Sequence, residues 1–244
     1  MDRKRLWQFG AVGLIFVVIG MVTLNQSNGD GRYKYQVPSE KRIRTFLPHN
    51  TYKWWEYKVK QFQMSPVTQN DIVIFGDAIT EYNSDWRSML GANNIVNRGI
   101  SSDRMDGFRN RIEQVTEGQP KQIFLEMGLN DLADKKSPEW VVDRWKNVVK
   151  IIQTESPQTK IVMVSLTPVD NSYKNQTVNN DDVKIVNRSL KQFAEKKNLT
   201  YVDIYSILVT KNGQLNQKYA RDSANPNRLG YEKIAALLKN YVTN

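Results

Sequence analysis

The stretch Ile72-Val73-Ile74-Phe75-Gly76-Asp77-Ala78-Ile79-Thr80-Glu81 decides the fold of this chain. Its first four residues are apolar and three of them are β-branched, the composition of a strand buried on both faces. Gly76 closes the run, and Asp77 has the side chain to cap the helical turn that follows. A strand covered on both faces belongs to a parallel sheet between two helical layers, so the same rhythm should recur downstream.

It recurs four times. Short β-rich runs lie at residues 94–97, 122–127, 160–165 and 200–204, and amphipathic stretches at 105–116, 138–154, 181–197 and 228–242. Strands alternating with helices predict an α/β protein, a three-layer α/β/α sandwich on a five-stranded, mainly parallel sheet. Ligands of such sheets bind outside the carboxyl ends of the strands, so the loops after each strand carry the functional reading. There is no internal repeat, and no second globular domain is needed.

Those loops form an ordered series. Strand one leads into Gly76-Asp77-Ala78, strand two into Asn97-Arg98-Gly99-Ile100-Ser101, and strand three into Gly128-Leu129-Asn130-Asp131. Near the C-terminus comes Asp222-Ser223-Ala224-Asn225-Pro226, followed by Gly230-Tyr231. Four blocks in this order resemble the SGNH/GDSL hydrolase family, particularly its small esterase and acetylhydrolase-like members, over about residues 51–242. The resemblance implies a flavodoxin-like sandwich and, residue by residue, a set of site positions. The family's nucleophilic serine falls on Ala78, its orienting carboxylate on Asp222 and its histidine base on Asn225. Gly99 and Asn130 fall on the oxyanion donors, while Asp77 and Asp131 fall in the pocket.

Two of those substitutions remove chemistry. Ester hydrolysis by this route needs a hydroxyl to attack and a titratable group to take its proton. Alanine has no hydroxyl, and an asparagine amide does not titrate near neutrality. The single histidine, His49, precedes the first strand and reads as a surface residue. Thr80, Ser84, Ser101, Ser102 and Ser223 read as turn and cap residues. No metal-ligand pattern and no cofactor motif is present, so neither a metal nor a cofactor is expected.

The whole chain has 244 residues, 35 Lys+Arg against 25 Asp+Glu, a net charge of +10 and no cysteine. That composition excludes a disordered chain, a disulfide framework and a polytopic membrane protein. A basic tail at residues 1–5 precedes 19 residues, 6–24, in which Gln8 is the one strongly polar side chain. As a helix they would span roughly 28 Å, a bilayer's hydrocarbon thickness, and no convincing cleavage site follows. The expectation is an uncleaved signal anchor with a cytoplasmic N-terminus and an extracellular C-terminal domain at the cell membrane.

Residues 25–50 read as a basic connector and 51–244 as the folded domain. Between residues 31 and 60 lie eight basic and two acidic residues, either a patch for anionic lipid or wall polymer or a solvated face. Trp54, Trp55, Tyr57, Val59 and Phe62 suggest a first helix that packs its aromatics on the domain. No nucleic-acid motif is present. The expected function is a membrane-anchored pseudoenzyme that binds an acylated or anionic cell-envelope glycan, or a membrane-bound partner enzyme. The alternatives are an active esterase or O-acetyltransferase, an engineered inactive form of one, and an interaction protein with a vestigial pocket.

Overall fold

The computed structural model describes residues 35–47 and 51–243. The basic tail, the expected membrane helix at 6–24, the first part of the connector and His49 lie outside the described residues. Among the described residues no helix is long and apolar enough to cross a membrane.

Five parallel strands form one sheet: β1 (Ile72–Gly76), β2 (Ile95–Gly99), β3 (Gln122–Glu126), β4 (Lys160–Val164) and β5 (Thr200–Val202), in the order β2-β1-β3-β4-β5. β1 and β3 are buried along their whole length, as their unbroken apolar runs require. β2 continues past Asn97 because it stays paired with β1 up to Gly76 opposite Gly99. β5 is shorter than the sequence suggests, since only three of its residues pair with β4.

Helices α1 (Glu40–Ile43) and α2 (Tyr52–Gln63) precede the sheet, and α3 (Ala78–Glu81) and α4 (Trp86–Leu90) join β1 to β2. Helices α5 (Met105–Arg111) and α6 (Glu113–Thr116) lead to β3, replacing one expected helix with two short ones. Helices α7 (Leu129–Ala133) and α8 (Pro138–Glu155) lead to β4, α9 (Asn180–Lys197) to β5, and α10 (Tyr205–Leu208) and α11 (Arg228–Leu238) follow it. The three-layer α/β arrangement of the sequence reading is therefore present.

Helix α8 shows how the sequence makes such an element. The Ser137 side chain caps it by accepting the Trp140 N–H, Pro138 occupies the first turn, and Val141, Val142, Trp145, Val148, Val149 and Ile152 fall on its buried face. Trp145 also donates its indole N–H to Met127 O at 2.9 Å, fixing the helix to the end of β3.

Part of the expected connector belongs to the folded body. Tyr35, Ile43 and Leu47 are buried in a cluster with Tyr52, Trp55, Val59, Phe62 and Ile100. Within α2, Trp55, Val59 and Phe62 recur at helical spacing on the buried face, whereas Trp54 and Tyr57 face solvent and stack on each other at 5.4 Å. The aromatics of this helix thus divide between core and surface.

Candidate active site

The turn after β1 is built on Asp77. Its Oδ1 accepts the Ile79 N–H at 3.0 Å and so caps α3, which places Ala78 as the helix's first residue. A methyl group therefore stands at the expected nucleophile position. Burial raises the Asp77 pKa to about 6 against the pull of the Ile79 N–H. Glu126 at the end of β3 is also buried, with no N–H donor on either oxygen and the Asp77 carboxyl as its neighbour. Burial first, and the Asp77 carboxylate second, push Glu126 well above the usual carboxylate range.

The second and third loops meet this turn. A Cβ on Gly99 would collide with the Glu81 main chain, so this residue is where the α3 turn lies against β2. The Gly99 N–H donates to Asn97 Oδ1 at 2.8 Å, while the Asn97 amide donates to Thr80 O and Asn83 O at 2.9 and 3.1 Å. Gly128 holds φ at +114°, which starts the sharp turn into α7. Asn130 then donates to Asp77 Oδ2 at 3.1 Å and to Asp103 O at 2.9 Å. An amide has two N–H donors, so both are engaged within the protein. Asp131 is buried and accepts the Met105 N–H at 3.0 Å; burial raises its pKa to about 7.

The final loop is a compact knot around Asp222. Its Oδ1 accepts the backbone N–H of Ala224 and Asn225 at 3.0 and 2.8 Å. The Asn225 amide reaches both carboxylate oxygens, at 2.9 and 3.0 Å. Partial burial raises the Asp222 pKa, but these donors and Arg221 together bring it below the ordinary value. The loop is fastened to α3, since Tyr231 donates to Ile79 O at 2.9 Å and the Arg221 guanidinium lies 4.3 Å from the Tyr82 ring centroid.

The structure thus unites Asp77, Asn130 and the Gly99 turn in one bonded group, and Asp222 with Asn225 in a second group tied to α3. Several residues that shape this site were not singled out by sequence. Arg111 is buried and donates to Asp103 Oδ2 at 2.7 Å, Arg98 O at 2.8 Å and Gly76 O at 3.0 Å. Asp103 also accepts the Trp55 indole N–H at 3.1 Å, which joins α2 to the frame. Ser102, read as a turn residue, holds φ at +63°, and its N–H makes no hydrogen bond among the described residues. The signal for Glu126 was available: a lone acid inside the apolar run Ile123-Phe124-Leu125-Glu126-Met127 marks a buried charge.

Residues 74–233 match the family model described as the GDSL-like Lipase/Acylhydrolase family. Among solved structures, the fold is similar to that of a Streptococcus pneumonia protein provisionally termed a platelet activating factor, with a TM-score of 0.71 and 22% identity over 82% of this chain and 96% of that one. A GDSL-like lipase from Bacteroides thetaiotaomicron VPI-5482 gives a TM-score of 0.67 and 19% identity over 77% and 96% of the two chains. A lipase/acylhydrolase from Enterococcus faecalis gives 0.59 and 17% over 70% and 94%. At these identities the likeness is one of fold. No curated protein matches this chain in sequence.

Proposed function

This chain belongs to the GDSL-like lipase/acylhydrolase family, and from that premise we propose that it is a membrane-anchored, extracytoplasmic member that binds without hydrolysing. Its ligand is an acylated or anionic cell-envelope glycan, or a partner enzyme acting on that glycan. The observation that carries the reading is the pair of replaced groups: a methyl at Ala78, and at Asn225 an amide whose N–H donors lie on the Asp222 carboxylate. Attack and proton transfer each lack their group at these positions, and the hydroxyls of the same loops, Ser101 and Ser223, are hydrogen-bonded to Tyr82 and Gln176 at 2.8 and 3.0 Å. The engagement of Gly99 and Asn130 inside the protein supports the same reading, because a developing oxyanion would have to displace existing bonds.

The location rests on the apolar stretch at residues 6–24 behind a basic tail. The test combines two measurements on the full chain. With small chromogenic acetyl esters it should show no turnover beyond background, and it should be retained by acylated envelope glycan. Esterase turnover abolished by replacing one of the loop hydroxyls, such as Ser101→Ala, would overturn the proposal. External protease on intact cells should remove the domain while an N-terminal tag stays protected; the reverse pattern would sink the topology.

A further inference from the structure

A polar cleft of about 310 Å³ lies apart from the loops just described, walled by α1 and its following turn, α5 and α8. Arg42, Arg109 and Arg144 line it together with Asn110, Asn147 and a single carboxylate, Asp106. Phe46 is its one large apolar neighbour, so the cleft is unsuited to an acyl chain. None of the family-position residues, Ala78, Gly99, Asn130, Asp222 or Asn225, takes part.

The three arginines come from separate segments, and each segment is fixed. Phe46 packs edge-on against the buried Trp55 at 5.4 Å, and Tyr35 donates to Asn110 O at 2.7 Å, so the chain carrying Arg42 is fastened to both α2 and α5. Arg144 is held over the Trp140 ring at 4.8 Å. Its closest acids are Asp106 at 3.6 Å and Asp143 at 3.7 Å, beyond hydrogen-bond range, and its Nε is buried without a partner. Arg42 and Arg109 form no ion pair among the described residues and are exposed. Within the cleft three guanidiniums face the Asp106 carboxylate, and Asp143 stands near Arg144 alone, so the lining carries a net positive charge and unspent N–H donors.

We propose that this cleft binds a phosphate group carrying a small polyol or sugar. A phosphate has enough oxygens to meet several guanidinium forks at once, whereas a carboxylate saturates one. The Asn110 and Asn147 amides suit the hydroxyls of the attached group. A second cleft, of about 220 Å³, shares Thr45, Phe46 and Asp106 with the first and reaches Arg104 and Asp131, beside Asn130.

The test is calorimetric titration of the full chain in neutral detergent with glycerol 3-phosphate, inorganic phosphate, soluble short-chain phosphatidylglycerol and uncharged glycerol. Saturable binding of at least one phosphate probe, none of glycerol, and at least a tenfold weakening in Arg109→Gln support the site. Arg109 is exposed, so that variant keeps its fold, and Arg144→Gln should act in the same direction. Which phosphate probe binds tightest distinguishes a free from a lipid-borne source. Absence of saturable binding by all three phosphate probes overturns the proposal. So does equal weakening by Lys191→Gln with Lys196→Gln, exposed charges on α9 that would report only the overall positive field.

Discussion

The final loop and the frame beneath β1 and β2 use the same chemistry, a carboxylate gathering N–H donors, in opposite surroundings. Asp222 stands near the surface and collects backbone and amide donors that come with its own loop. Asp103 is 0% exposed and holds a 1% exposed Arg111 that in turn ties the ends of β1 and β2. The first region holds an amide on its carboxylate at the expected base position, while the second keeps a buried ion pair whose desolvation is expensive. The difference teaches that the shape of the loops and their reactivity are held by separate residues. The Asn225 side chain bonds Asp222 and the Ala78 side chain has no polar group, so neither ties a strand end as Arg111 does.

The sharpest way to break this comparison is Asp103→Ala. It leaves a buried guanidinium without its counter-charge and removes the acceptor of the Trp55 indole, so about 3–5 kcal/mol of stability should be lost. Chemical denaturation monitored by tryptophan fluorescence measures it. A loss under 1 kcal/mol would show that water or loop relaxation replaces the pair, and would dissolve the contrast between frame and loop.

Repair of the chemistry is the next largest effect. Ala78→Ser alone supplies an oxygen without a base, and Asn225→His alone supplies a base with nothing to activate. The double variant should hydrolyse small acetyl esters at least about a hundredfold faster than either single one, since triad members act as a unit. It should still fall short of a complete site, because a missing oxyanion donor is worth about 10²–10³ and the Asn130 amide is already engaged. Additive singles would mean that the two loops do not face a common substrate position.

A third test uses pH, where the two regions differ in sign. Asp77, Asp131 and Glu126 all have pKa values raised by burial, to about 6 and about 7 for the first two. A carboxyl whose folded pKa is raised binds its proton more tightly in the native state. Its contribution is therefore fully present below the unfolded pKa, about 4, and is lost as pH rises through the folded value. Asp222 is lowered and works the other way, losing its contribution as the medium becomes acidic. Urea midpoints at about pH 4.5 and 7.5 should show a decline toward the higher pH that Glu126→Gln makes shallower. An unchanged slope in that variant would remove Glu126 from the account.

Much of this was legible in the chain, for identifiable reasons. Both-face burial writes itself as unbroken apolar runs, so β1 and β3 are plain, and Gly-Asp and Gly-x-Asn-Asp turns mark their ends. The replaced residues at 78 and 225 are visible for the same reason. The segment at 35–47 reads as connector because Pro38 and its charges dominate, while only Tyr35, Ile43 and Leu47, widely spaced, carry its burial. Arg111 is hidden differently: an arginine on an amphipathic helix is ordinarily solvated, and nothing local announces that it reaches Gly76 O across 35 residues. That Gly99 and Asn130 spend their donors internally depends on loop contacts that no spacing encodes.

The smallest effect belongs to Asn225→Ala, and it closes the comparison with Asp103. The substitution deletes an amide that meets both Asp222 oxygens, which on bond count alone rivals the deletion in the frame. The environment decides otherwise. Asp222 keeps the backbone N–H of Ala224 and of residue 225 itself, and its exposed side allows water to replace the lost donors. Its ion pair with Arg221 lies at the surface and adds little. A net hydrogen bond of this kind is worth about 0.5–1.5 kcal/mol, and rehydration should bring the loss to the lower end, under about 1 kcal/mol. The same denaturation assay reads both variants. A loss for Asn225→Ala as large as that for Asp103→Ala would make the amide a structural strut, and would explain its presence at the base position by folding rather than by the loss of a reaction.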